Sequence, residues 1–215
     1  MSKSDNMTKK LLILAMKKIY NLNFSDVENE KTPDLILDND KDVGIEITVA
    51  IKSKIMQGRH EYQKALKNND TNRFDKLNKL GFYATEDKFY EIDTKTGKKK
   101  YLYTLEIVED ILNSIDKKNQ KDYSNCKNVS LAVYVENLHI LIKKQEILLE
   151  LFNLIETNFK IIYLFNQSII LKFDLMKNYI STDVYSYFAY IEKGKVYNNE
   201  DAINFLLNKN NTEAN

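Results

Sequence analysis

Two short stretches, Pro33-Asp34-Leu35-Ile36-Leu37 and Val43-Gly44-Ile45-Glu46-Ile47-Thr48-Val49-Ala50, decide the fold. The second alternates strictly, with Val43, Ile45, Ile47 and Val49 on one face and Gly44, Glu46, Thr48 and Ala50 on the other. That period of two is a strand with one apolar side. The first is a shorter strand with proline at its entrance, where a missing N–H is tolerated. Asp38 to Asp42 between them is a turn cluster, so the pair reads as a hairpin. Matching the apolar faces pairs Leu37 with Val43 and Leu35 with Ile45, across a three-residue loop of Asn39, Asp40 and Lys41. Asp34 then stands opposite Glu46. A slip of one residue would send Glu46 to the apolar face, so burial selects this register. Opposed side chains lie roughly 4.5–5.5 Å apart at Cβ, where two carboxylates repel unless a cation sits between them. Mg²⁺ suits such a pair, because it takes carboxylate oxygens, a backbone carbonyl and waters.

Outward from this hairpin, Thr8 to Tyr20 has helical apolar spacing. Helices are expected over 52–67 and 70–80, with Gly81 as a C-cap, then over 105–118, 141–157 and 201–207. Residues 129–135 read as a strand, 159–165 and 168–173 as a hairpin, and 183–196 as a further strand pair. Asn21 to Thr32 reads as irregular. Residues 82–104 suggest an inserted β-hairpin whose tip, around Thr94 to Gly97, carries Lys95 and Lys98 to Lys100. The expected architecture is one α/β domain over residues 1–207, a mixed central sheet flanked by helices, with a flexible polar tail over 208–215.

Composition closes other doors. The 215 residues contain one proline, five glycines and one cysteine, which excludes collagen-like, glycine-rich and disulfide-framework readings. Two distant histidines, His60 and His139, argue against a histidine metal site and read as surface or satisfied core residues. Cys126 reads as a structural or surface thiol, with no partner base evident. No apolar run can span a bilayer, so the expectation is a cytoplasmic protein away from membranes. Lys+Arg is 32 against Asp+Glu 31, yet residues 50–104 hold 13 basic and 7 acidic side chains. Such a local basic excess can engage phosphates, or can be the solvated face of lysine-rich helices.

A helix, Pro33-Asp34 at a strand start, a hairpin, Gly44-Ile45-Glu46-Ile47-Thr48 and a following helix together resemble the core of the PD-(D/E)XK nuclease superfamily. The resemblance covers residues 8–80 and extends, more loosely, to a core strand at 129–135. It implies a restriction-endonuclease-like core and a Mg²⁺-dependent phosphodiester hydrolase (Mn²⁺ being an alternative ion). The substrate would be nucleic acid, DNA ahead of RNA. Asp34, Glu46 and the Ile47 carbonyl would hold the metal. The family's lysine, two residues after the glutamate, is replaced here by Thr48. Lys52 is the first candidate to take its place and Lys64 the second, with Lys54 also near. Gln63 resembles a glutamine that some members carry on this helix. Arg59 would contact a neighbouring phosphate, and Lys98, Lys99 and Lys100 would bind the nucleic-acid backbone. A homodimer would fit a double-strand cutter. The missing lysine supports an alternative: an inactive nuclease-like fold that binds nucleic acid or protein.

Overall fold

The computed structural model describes residues 3–27, 32–50, 53–85, 88–92, 97, 104–192 and 195–208. The chain runs from helix α1 (Lys3–Tyr20) through strands β1 (Phe24–Asp26), β2 (Leu35–Leu37) and β3 (Asp40–Val49) to helices α2 (Ser53–Asn68) and α3 (Thr71–Lys79). Strands β4 (Phe82–Ala84) and β5 (Phe89–Glu91), helix α4 (Thr104–Asn119) and strand β6 (Asn128–Tyr134) follow. A 3-10 helix over Leu138–Lys144 leads into α5 (Gln145–Leu154). Strands β7 (Ile161–Phe165), β8 (Ile169–Asp174), β9 (Tyr179–Val184), β10 (Ala189–Glu192) and β11 (Lys195–Asn198) precede the final helix α6 (Asn199–Asn208). The chain forms two compact units, residues 1–50 with 111–215, and residues 51–110.

The first unit is a mixed α/β fold around a seven-stranded sheet in the order β1-β2-β3-β6-β7-β8-β9. Strands β3, β6 and β7 run parallel, and the outer strands pair antiparallel. Alternation divides the apolar residues between two faces. On one face Ile45, Ile47, Ala132, Tyr163, Phe165 and Ile170 pack with Leu12, Ala15 and Met16 of α1. The other face carries Glu46, Leu131, Val133, Leu164 and Phe173 by register. There Phe152 of α5 meets Phe173 edge-on, with ring centroids 5.1 Å apart. Beyond the sheet, β10 and β11 form a hairpin, and Tyr197 stacks on Phe205 of α6 at 4.1 Å.

The second unit joins α2, α3 and the β4–β5 hairpin around Ala65, Phe74, Leu77, Phe82 and Ala84. Its tight point is Gly58, where a Cβ would lie 2.7 Å from the Phe82 ring. A hairpin forms within residues 82–91, whereas the tip expected around Thr94 to Gly97 lies, Gly97 apart, outside the described residues. Tyr83 pairs with Tyr90 and Ala84 with Phe89, so both strands come from the first aromatic piece, and polar Thr85 and Lys88 close the turn. Lys95, Lys98, Lys99 and Lys100 lie outside the described residues, as does Lys52.

The β2–β3 hairpin follows the expected register at its base and departs from it at its tip. Leu35 pairs with Ile45 and Ile36 with Gly44, but Leu37 pairs with Asp40 and not Val43, across a bulge. The acidic tip explains the shift. The Asp42 N–H donates to Asp40 Oδ1 at 3.0 Å, and Ser25 Oγ donates to Asp38 Oδ1 at 2.6 Å. Short polar side chains that bond nearby groups compete with the ladder.

The base of the hairpin is set by a close approach. A Cβ on Gly44 would run into the Pro33 ring and lie 3.1 Å from Cys126 Sγ. Gly44→Ala is therefore expected to cost ~1–3 kcal/mol by overpacking, read from denaturant unfolding. A variant as stable as the parent would refute the close approach.

Candidate functional site

Asp34 and Glu46 both lie at the base of this hairpin, and the two halves of the site form around them. Glu46 sits mid-strand on the face opposite α1 and is 1% exposed. A carboxylate placed there needs compensating charge. Lys118, in the last turn of α4, donates to Glu46 Oε1 at 2.5 Å, and Lys121, just beyond that helix, donates to the same oxygen at 2.9 Å. Glu46 Oε2 is buried with no hydrogen-bond partner. Thr48, two residues on, shares this face of β3.

Asp34 works at the edge of β3. Counting on from Leu35 opposite Ile45, Ile47 would next face Pro33, which has no N–H to exchange. The Asp34 carboxylate takes that place, and its Oδ2 accepts the Ile47 N–H at 2.8 Å. A residue's N–H and C=O leave a strand on the same edge, so the Ile47 carbonyl leaves β3 towards Asp34. The same register places Asp34 opposite Glu46. Asp34 Oδ1 also lies 3.4 Å from Lys9 Nζ of α1, which is 2.6 Å from Asp26 Oδ1. Burial pulls the Lys9 pKa down, but its bond to Asp26 and the charge of Asp34 outweigh this, and the net shift is upward. Lys121 behaves alike: burial lowers its pKa, while Glu46 and then Asp34 hold it above the usual value. Tyr123, whose hydroxyl donates to the Lys118 carbonyl at 3.1 Å, is pushed up by burial and by the charges of Glu46 and Asp34. Both carboxylates thus act on the same two side chains.

Of the other residues singled out from the sequence, Lys54, Arg59, His60, Gln63 and Lys64 lie on α2, within the second unit. Lys64 is held by Glu61 at 3.0 Å, and Arg73 binds the other oxygen of Glu61 at 2.5 Å. Bonding to Lys64 holds the Glu61 carboxyl below the usual range. Gln63, Arg59 and His60 are exposed. His139, in the first unit, is partly buried, which lowers its pKa. Cys126 is buried and donates to the Asp42 carbonyl at 3.2 Å, a structural role, and burial raises its pKa.

Sequence reasoning missed Lys9, Lys118, Lys121 and Tyr123. Lys118 carried only the signal of a cation in a helix's last turn, where it suits the helix dipole. Its partner is 72 residues away in the chain, and no local pattern marks that pairing.

The site could hold a divalent cation with two carboxylates and a backbone carbonyl. Among the described residues no group of three or more His, Cys, Asp or Glu could do so. Waters would have to complete the shell, which suits Mg²⁺, an ion that keeps several of its own.

Two outcomes follow for stability. Lys118→Met should destabilise more than Lys121→Met, since their side chains are 16% and 43% exposed. We expect up to ~3 kcal/mol for Lys118→Met and at most ~1 kcal/mol for Lys121→Met, measured by denaturant titration; equal losses would contradict this geometry. Raised lysine pKa values favour the folded state below the unfolded lysine value and stop doing so as pH rises through the folded one. The Lys9 and Lys121 contributions should therefore hold constant from pH 6 to about 9 and fall above ~10.4. Thermal melts of Lys9→Met and Lys121→Met beside the parent isolate them; a difference from the parent that already shrinks between pH 7 and 9 would contradict the assignment.

No protein-family model, curated protein or solved structure matches this chain.

Proposed function

We propose that this chain is a cation-dependent phosphodiester hydrolase of the restriction-endonuclease-like type, acting on nucleic acid with DNA as the favoured substrate. Asp34, Glu46 and the Ile47 carbonyl hold Mg²⁺ or Mn²⁺. One observation carries the reading: Glu46, almost wholly buried, keeps Oε2 without a partner, while Asp34 is fixed on the neighbouring Ile47 N–H. A buried carboxylate oxygen left unsatisfied costs free energy unless a ligand or water meets it. The order of elements supports the same reading. A helix precedes the hairpin, helices follow β3, and the next strand of the sheet, β6, lies parallel beside it.

When bound, such a cation polarises a phosphate oxygen and makes water a better nucleophile at neutral pH. The chain's own residues supply the rest. Asp34 is held by a backbone N–H and by Lys9, so it needs little reordering to serve as a ligand. Lys118 and Lys121 bring two ammonium groups to the face that Thr48 shares, where the family's lysine would stand. They can stabilise negative charge that grows on a phosphate in the transition state. No described helix is long and apolar enough to cross a membrane.

One observation favours a second reading. Glu46 is already neutralised by two lysines, as in a purely structural ion pair, and the fold would then bind nucleic acid or protein without cutting.

Incubation with plasmid, single-stranded DNA and RNA, each with Mg²⁺, Mn²⁺ or EDTA, separates the two. We expect cleavage that needs the cation and falls at least about a hundredfold in Asp34→Ala and in Glu46→Ala. Binding without cleavage, unchanged by either substitution, would establish the second reading.

A further inference from the structure

We propose that Lys118 and Lys121 are exchangeable counter-ions. They neutralise Glu46 in the cation-free protein and turn to the phosphodiester when a divalent cation takes the carboxylate, so that cation and phosphodiester bind as a pair. This rests on the reading of Asp34 and Glu46 as a cation site.

The charge balance leads to it. Among the described residues, the ion pairs of this cluster set the ammonium groups of Lys9, Lys118 and Lys121 against the carboxylates of Asp26, Asp34 and Glu46. The cluster is already neutral. A divalent cation entering alone would leave it two charges positive in a partly buried place, where uncompensated charge is costly. Each phosphodiester brings one negative charge, so the linkage bound at the cation removes half of that excess and a neighbouring phosphate of the same strand the rest. Each ligand then lowers the cost of the other, and the coupling is reciprocal.

The geometry allows the exchange. Both ammonium groups converge on Oε1, and Oε2 is unused. Lys121 lies beyond the end of α4, and its side chain is 43% exposed. Lysine is a point charge on a flexible four-carbon stem, so it can leave one oxygen for another without a fixed fork to rebuild. Lys9 stays behind, because Asp26 and Asp34 both hold it.

The test is Mn²⁺ binding to the full chain, followed by the electron paramagnetic resonance of the free ion. It is run alone, with a short phosphorothioate DNA duplex, and with a methylphosphonate duplex that carries no backbone charge. We expect the charged duplex to tighten Mn²⁺ binding about tenfold, within the usual range for coupled sites, and the neutral duplex to leave it unchanged. The Lys118→Met/Lys121→Met variant should bind Mn²⁺ about tenfold tighter than the parent without any duplex. It should lose the coupling, and Mn²⁺ should raise its Tm more than that of the parent. Should the double variant not fold, Lys121→Met alone should show a smaller shift in the same direction. A folded lysine variant with the parent's Mn²⁺ affinity, alone and with duplex, overturns the proposal. Glu46→Gln tells that failure from failure of the functional reading. If it abolishes Mn²⁺ binding while the lysine variant behaves as the parent, only the counter-ion role is wrong. If it leaves Mn²⁺ binding intact, the cation site itself is wrong and the proposal falls with it.

Discussion

A carboxylate buried in the middle of a sheet has to be met by something, and Glu46 constrains what surrounds it. Its neighbours on the same face are Leu131, across the ladder, and Thr48, along the strand. None of these supplies a charge. The charge comes instead from Lys118 at the end of α4 and from Lys121 in the chain just after it. Replacing such an ion pair by apolar side chains of similar size is often neutral or stabilising. Stability alone therefore gives little reason for a glutamate here, and that asymmetry favours a functional role.

The second constraint is local to the start of β2. Pro33 packs where only Gly44 leaves room, and it cannot donate to the ladder. The Asp34 side chain continues the sheet in place of backbone, through the Ile47 N–H. One arrangement thus ends a strand, fixes a carboxylate and turns the Ile47 carbonyl to the same edge. Lys9 of α1 ties this corner to the opposite face of the sheet, so Asp34 is held from two sides. The two carboxylates reach one electrostatic neighbourhood from different supports, one in the plane of the sheet and one standing on its face.

Much of this was legible in the sequence, and the rest was not for identifiable reasons. Strict alternation over 43–50 marked β3 because one face is apolar throughout, and burial then selected the pairing of Leu35 with Ile45. The bulge at Leu37 was hidden, since it depends on Asp40 and Asp38 bonding groups close by. Strands β1 and β9 were missed. Only Phe24 of Phe24-Ser25-Asp26 is buried, and Tyr179–Val184 is a polar edge strand with no fully buried residue. Leu138–Lys144 has the apolar density of an α-helix but winds as a 3-10 helix ahead of α5. The placing of Asp34 opposite Glu46 was readable because a hairpin register relates residues close in sequence. The contacts of Lys118 and Lys121 with Glu46 were not, because they depend on a tertiary approach across more than seventy positions.

The choice of lysine over arginine bears on what the cluster does. Only Arg59 and Arg73 break a run of lysines among the 32 basic residues, so composition alone could account for lysine at any one place. Arg73 shows what the other choice looks like: it spans Glu61 and Asp70 with two different nitrogens, a fixed bridge. Glu46 has the opposite arrangement, two single-point contacts sharing one oxygen. A guanidinium fork across both oxygens would satisfy Glu46 completely and be hard to displace. Two ammonium groups on Oε1 neutralise the charge yet leave Oε2 unmet, and each is held by a contact that a rotation can break. A structural ion pair would be better made the first way. The second way is what a carboxylate needs if its counter-ions must at some stage let go.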